Sequence, residues 1–213
     1  MTTMHNYLKN IFKFFIFLLA VTGVMAGGLL ATASANDAMS QLQKSVDEIL
    51  SILQAAELRK PEKKAERQNL VLDVVNEMFD FRNMARSSLG QSWNSITPEE
   101  QDKFVDLFKK LVEQRYIGKI DAFDNQKVVY QKQLVKGDKA MIYTDLIGKD
   151  LDVPIIYKLQ NNDGKWLIYD MKIENVSLIV NYRSDFESII RKEQFAGLID
   201  KMTQQLEKKE AEK

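Results

Sequence analysis

Two hydrophobic periods run along this chain, and the change from one to the other falls at Val176. Over Lys165–Glu174, the residues Leu167, Tyr169, Met171 and Ile173 alternate with Trp166, Ile168, Asp170 and Lys172. That alternation predicts a strand with one wholly apolar face. From Val176 onward, Ile179, Val180, Arg183, Phe186, Ile189 and Ile190 recur at three and four, the spacing of one helical face. Ser177 stands where its hydroxyl can cap the new helix.

The same reading extends in both directions. Met39, Leu42, Val46, Ile49, Leu53 and Ala56 predict an amphipathic helix that ends near Lys60-Pro61. Its heptad-like spacing is too short for a coiled coil and is cut by Pro61, so it reads as a core-packing helix. A second helix carries Val71, Val74, Val75 and Met78. Asp80 can cap a short helix over Phe81–Leu89, with Gly90 as its stop. Thr97-Pro98-Glu99-Glu100 combines an N-cap, Pro at the first helical position and Glu at the capping-box position. The helix it starts presents Phe104, Leu107, Phe108, Leu111, Val112 and Tyr116.

Strands are predicted at 127–135, 139–148, 151–160 and 165–174, joined by Lys136-Gly137-Asp138, Gly148-Lys149-Asp150 and Asn161-Asn162-Asp163-Gly164. Such short turn-forming links make antiparallel neighbours. In the third strand, Leu151, Val153, Ile155, Tyr157 and Leu159 share the most apolar strand face in the chain. A last helix carries Phe195, Leu198, Ile199, Met202 and Leu206, and residues 207–213 form a charged, frayed end. Helices before and after a meander of four strands give an α+β fold.

The N-terminus alters this picture. Lys9 and Lys13 precede an apolar run from Phe14 to Leu30, followed by Ala31-Thr32-Ala33-Ser34-Ala35. This order is that of a cleavable export signal, with cleavage expected after Ala35 and a single domain over 36–213. The run is near the lower limit for a retained membrane anchor, but Gly23, Gly27, Gly28 and the Ala-rich exit suit a signal better.

Removal of residues 1–35 takes away Lys9, Lys13 and no acid, which leaves a small negative balance with the signs interspersed. No basic stripe for nucleic acid and no polybasic patch for anionic lipid is visible. The only histidine, His5, lies in the signal, and the chain has no Cys. Residues 36–213 therefore lack the parts for Ser-His or Cys-His catalysis and for imidazole or thiolate metal sites, and no cofactor motif is present. An acid such as Asp145 or Asp170 in an apolar pocket could abstract a proton, but no second catalytic partner is identifiable.

Several separate blocks then carry a resemblance: Phe79-Asp80-Phe81, Met84-Ala85, Leu89-Gly90, Trp93, Thr97-Pro98-Glu99, Val176-Ser177-Leu178 and Asn181-Tyr182-Arg183. In this order they resemble the Mla C-type, or toluene-tolerance, family of periplasmic phospholipid-binding proteins. Asn175 stands where that family usually has Gly, and Asn is the non-glycine residue that best tolerates positive φ.

The resemblance implies a cone-like fold related to nuclear transport factor 2, with an internal apolar cavity. It also implies a carrier that shuttles glycerophospholipids between outer and inner membranes and maintains outer-membrane lipid asymmetry. Its implied partners are an inner-membrane Mla-type ABC transporter complex and an outer-membrane Mla lipoprotein-porin complex. The expected lining is Met141, Tyr143, Ile155, Tyr157, Tyr169 and Met171 from the sheet, with Phe108, Leu111, Val176, Val180 and Phe186 from helices. Met repacks easily, and Tyr joins an apolar ring to a polar tip. Arg86 and Arg183 suit structural hydrogen bonds as well as phosphate contact. A carrier of another hydrophobe, such as a hopanoid or squalene, and a periplasmic chaperone or adaptor are the alternative readings.

Overall fold

The computed structural model describes residues 37–123, 125–149 and 151–211, so the export signal expected at 1–35 lies outside the described residues. The chain forms two compact units. Among the described residues, one comprises 37–79 together with Lys119–Asn175, and the other Asp80–Gly118 with 176–211.

The first unit is a sheet under two helices. Helix α1, Ala38–Gln54, buries the stripe Leu42, Val46, Leu50 and Leu53, and α2, Lys64–Met78, buries Val71, Val74 and Met78. Between them Pro61 opens a short 3-10 turn, its fixed φ suiting a helical start. Strands β1 (Lys127–Lys136), β2 (Lys139–Gly148), β3 (Leu151–Asn162) and β4 (Lys165–Ile173) pair antiparallel in chain order. The β3–β4 turn is closed by the Gly164 amide, which donates to Asn161 Oδ1 at 2.7 Å, and Gly164 takes a φ of 92°. Val176–Ser177 adds a two-residue β5 to the sheet order, one strand more than the sequence pattern predicts.

Two irregularities fix which side chains share a face. The β1–β2 register shifts between Tyr130 and Lys132, leaving Gln131 as an extra residue. The β3–β4 register shifts between Lys158 and Leu159, leaving Tyr169 as an extra residue in β4. A bulge moves every later side chain to the other face relative to simple alternation. Ile168 therefore joins Met171 and Ile173, rather than the predicted set Leu167, Tyr169, Met171 and Ile173 sharing one face.

The first helix is fastened across the sheet at its N-terminal end by two glutamines. Gln133 of β1 accepts from the Met39 amide at 2.8 Å and donates to Asp37 Oδ1. Gln41 of α1 donates to the Gly164 carbonyl at 2.9 Å and accepts from the Trp166 amide at 3.0 Å. Beside α2, Asp121 receives Arg67 at 2.7 Å and Lys64 at 2.9 Å. Burial pushes the Asp121 carboxyl up, but the hydrogen bonds and charges of Lys64 and Arg67 outweigh it and hold the group below the usual carboxylate range.

The second unit is helical. Helix α3 (Phe81–Leu89) is capped by Asp80, whose Oδ1 accepts from the Asn83 amide at 2.9 Å. Helix α4 (Pro98–Tyr116) has the full capping box: Thr97 accepts from the Glu100 amide at 3.2 Å, and Glu100 Oε2 from the Thr97 amide at 2.8 Å. Helix α5 (Leu178–Ala211) starts with Ser177 Oγ accepting from the Val180 amide at 3.1 Å. It is interrupted at Gln194, where φ is 61° and ψ −177°, between the two helices that the periodicity predicts. Asn175 does take the positive φ expected of it, 65°. Among the described residues no helix is long and apolar enough to cross a membrane.

Candidate functional site

The face of the sheet turned toward α1 and α2 carries most of the buried core residues of the first unit's strands. Rows of registered partners run across it: Tyr130, Thr144, Ile155 and Ile173 form one, and Ile142, Tyr157 and Met171 the next. Val153, Leu159 and Ile168 extend the face, and Leu42, Val46, Val74 and Met78 cover it from the helices. Beta-branched and aromatic side chains in registered rows are what stabilises a half-buried sheet, so this sequence folds here for ordinary packing reasons. A shallow pocket of about 70 Å³ opens at one end, among Gln41, Leu42, Met78, Leu159, Trp166 and Ile168. That is well below the roughly 300–1,000 Å³ of typical ligand pockets.

Three hydroxyls interrupt the apolar face. Thr144 is buried and donates to the Ile155 carbonyl at 3.3 Å. Tyr157 is buried; burial pushes its phenol up to about 12, an effect that the neighbouring Thr144 hydroxyl partly opposes. Tyr130 packs against the same core with its hydroxyl buried and without a hydrogen-bond partner. Burial, and then the neighbouring Tyr157 and Asp47, push its phenol far up.

The eleven expected lining residues fall into separate groups. Ile155, Tyr157 and Met171 come together on the inner face. Met141 and Tyr143 do not join them: they pair with Lys158 and Ile156 on the opposite face, where Met141 is 36% exposed and Lys132 Nζ stands 4.6 Å over the Tyr143 ring. Tyr169 is the half-buried extra residue of the β4 bulge. In the second unit, Phe108 and Phe186 belong to an aromatic cluster with Phe104 and Tyr182, with Phe108 and Tyr182 centroids 5.2 Å apart. Leu111 is buried on the same helix as Phe108, Val176 is half-buried in β5, and Val180 is 59% exposed on α5.

Pairing by side chain skipped the polar members of the inner face. Tyr130 and Thr144 were not singled out in the sequence, because a bulge hides the register of Tyr130 and a lone Thr in a strand carries no signal of its own. The acids considered for proton abstraction are both engaged. Asp145 accepts from Gln131 at 2.6 Å, and Asp170, only 6% exposed, pairs with Lys158 at 2.8 Å.

Comparison with known proteins decides the family. The family described as "MlaC protein" matches residues 43–204. The chain belongs to the MlaC family. A similar relative is the intermembrane phospholipid transport system binding protein MlaC of Haemophilus influenzae. It is 26% identical over 172 residues, covering 76% of this chain and 79% of the relative. A solved structure with the same fold is the phospholipid-binding protein from Ralstonia solanacearum, determined in complex with a phospholipid. Its TM-score is 0.72 at 22% identity, covering 81% of this chain and 98% of that one. The MlaC match spans both compact units.

Proposed function

We propose that this protein is the phospholipid-binding component of an Mla intermembrane phospholipid transport system, a carrier and not an enzyme. The observation that carries the reading is the MlaC family match over residues 43–204, which includes the strands of the apolar inner face. Burying acyl chain is worth about 0.8 kcal/mol per methylene, so two chains of roughly 16 carbons would lose on the order of 25 kcal/mol in water. Free diffusion of such a lipid is negligible. A carrier with an apolar interior makes transfer close to isoenergetic, and its partners then set the direction.

In this reading acyl chain lies against the inner face, on Ile155, Tyr157 and Met171. Phe108, Leu111 and Phe186 stay as proposed lining within the second unit, whereas exposed Met141 and Val180 are not retained. The lipoprotein-porin complex of the outer membrane and the ABC transporter complex of the inner membrane are the proposed partners. The proposed location is the periplasm, after cleavage following Ala35.

Native mass spectrometry of protein purified without detergent tests this. A phospholipid should be retained, and N-terminal sequencing of the same material should begin at Asn36. Repeated recovery of protein with no phospholipid, from cells and after incubation with phospholipid vesicles, counts against the carrier reading.

A further inference from the structure

Among the hydroxyls of the inner face, that of Thr144 donates to the Ile155 carbonyl, and that of Tyr157 lies close enough to Thr144 to feel its hydroxyl. Tyr130 is the exception, with a buried oxygen that has no partner. A buried donor left unmade is costly, and native proteins seldom keep one without a use. Phe in its place would fill almost the same space on the face without that cost.

The position of Tyr130 narrows what could use it. It lies on β1, in the row Tyr130, Thr144, Ile155 and Ile173, and packs on the apolar core that α1 covers. The ligand group it meets must therefore accept a hydrogen bond on a face that is apolar apart from the Thr144 and Tyr157 hydroxyls, with the Asp47 carboxylate near enough to act on the phenol and so to repel an anion. Phosphate and headgroup are too strongly hydrated for such a place. A phospholipid has one further kind of acceptor, the ester carbonyls at the head of its acyl chains, and these follow the chains into an apolar site. We infer that Tyr130 donates to an acyl ester carbonyl of bound lipid, which makes it a residue that distinguishes ester-linked from ether-linked phospholipid. This rests on the carrier reading.

The test is competition. The mature protein is delipidated, incubated with vesicles containing equal amounts of dipalmitoyl phosphatidylglycerol and its dihexadecyl ether analogue, and analysed by native mass spectrometry. The two lipids have equal chain length and headgroup but differ in the carbonyl. The wild-type chain should enrich the ester lipid about fivefold, the factor given by roughly one net hydrogen bond. Tyr130→Phe should bind both lipids equally, and its lipid-free form should melt at or above the wild-type temperature, because the unpaired hydroxyl is gone. Lipid binding without ester preference in the wild type, or preference that survives Tyr130→Phe, overturns the inference and leaves the carrier reading standing. Binding of neither lipid overturns both.

Discussion

Arg183 donates from both Nε, at 2.9 Å, and Nη2 to the carbonyl oxygen of Ser87. That carbonyl is among the last four of α3, which have no partner within their own helix, and the guanidinium also places positive charge at the negative end of the helix. Arg183 therefore joins α5 to the end of α3, a structural role. A Cβ added at Gly90 would meet the Arg183 side chain at 3.6 Å, and Gly90 has φ of 57°, so the chain turns away directly beneath the guanidinium.

Lys cannot reproduce this two-pronged contact. Arg183→Lys should lower the unfolding free energy by about 1–2 kcal/mol, read as a shift in urea midpoint with unchanged slope, and lipid load should stay as it was. A loss of lipid in a variant of unchanged stability would instead place Arg183 in the ligand site.

Buried phenols make this fold sensitive to alkali. Burial raises Tyr157 to about 12, and burial also raises Tyr130 and Tyr182 strongly, the last despite the nearby Arg115. A folded-state pKa above the unfolded value of about 10 means that the protonated phenol is favoured in the fold. The stabilisation is fully present below about pH 10 and is lost as pH rises through the folded value. Urea midpoints should hold between about pH 8 and 9.5 and fall above about pH 10, less steeply in Tyr157→Phe. An equal slope in that variant would show that Tyr157 does not contribute.

Caps and turns account for how much of the architecture was legible beforehand. Thr97-Pro98-Glu99-Glu100, Asp80 and Ser177 each place a side-chain oxygen where an orphan helix amide needs one, and all three bonds form. Such signals are local, so a sequence displays them. Face membership is not local. Tyr169 looked like an inward residue because strict alternation was assumed, and the bulge opposite Lys158 broke that count. Met141 and Tyr143 were grouped with Ile155 and Tyr157 by chemistry, yet the β2–β3 register puts Ile142 and Thr144 opposite that pair. Register depends on both strands at once, and no single strand encodes it.

The interruption of α5 rests on Gly197 as well as Gln194. A Cβ at Gly197 would run into the Cβ of Glu193, which has no freedom to move aside, and Glu193 also pairs with Lys201 across the break. Gly197→Ala should therefore cost about 1–3 kcal/mol, the usual range for overpacking. In a continuous helix the same change would stabilise by about 0.8–1.0 kcal/mol, since Ala is the better helix former. The sign of the change in thermal midpoint separates the two.

The inner and outer faces of the sheet make opposite predictions for lipid. Ile155 is buried, between Thr144 and Ile173 in its row, while Met141 is exposed beside Leu134 on the other side. Ile155→Trp puts an indole where acyl chain is proposed to lie; it should overpack the lipid-free core by about 1–3 kcal/mol and cut co-purified phospholipid severalfold. Met141→Trp adds the same bulk to the opposite face and should leave lipid load and stability close to wild type. Measuring both variants by native mass spectrometry and thermal melting controls for bulk alone. If Met141→Trp empties the protein while a folded Ile155→Trp stays fully loaded, the acyl chains lie on the outer face, and the assignment of Ile155, Tyr157 and Met171 to the lining is wrong.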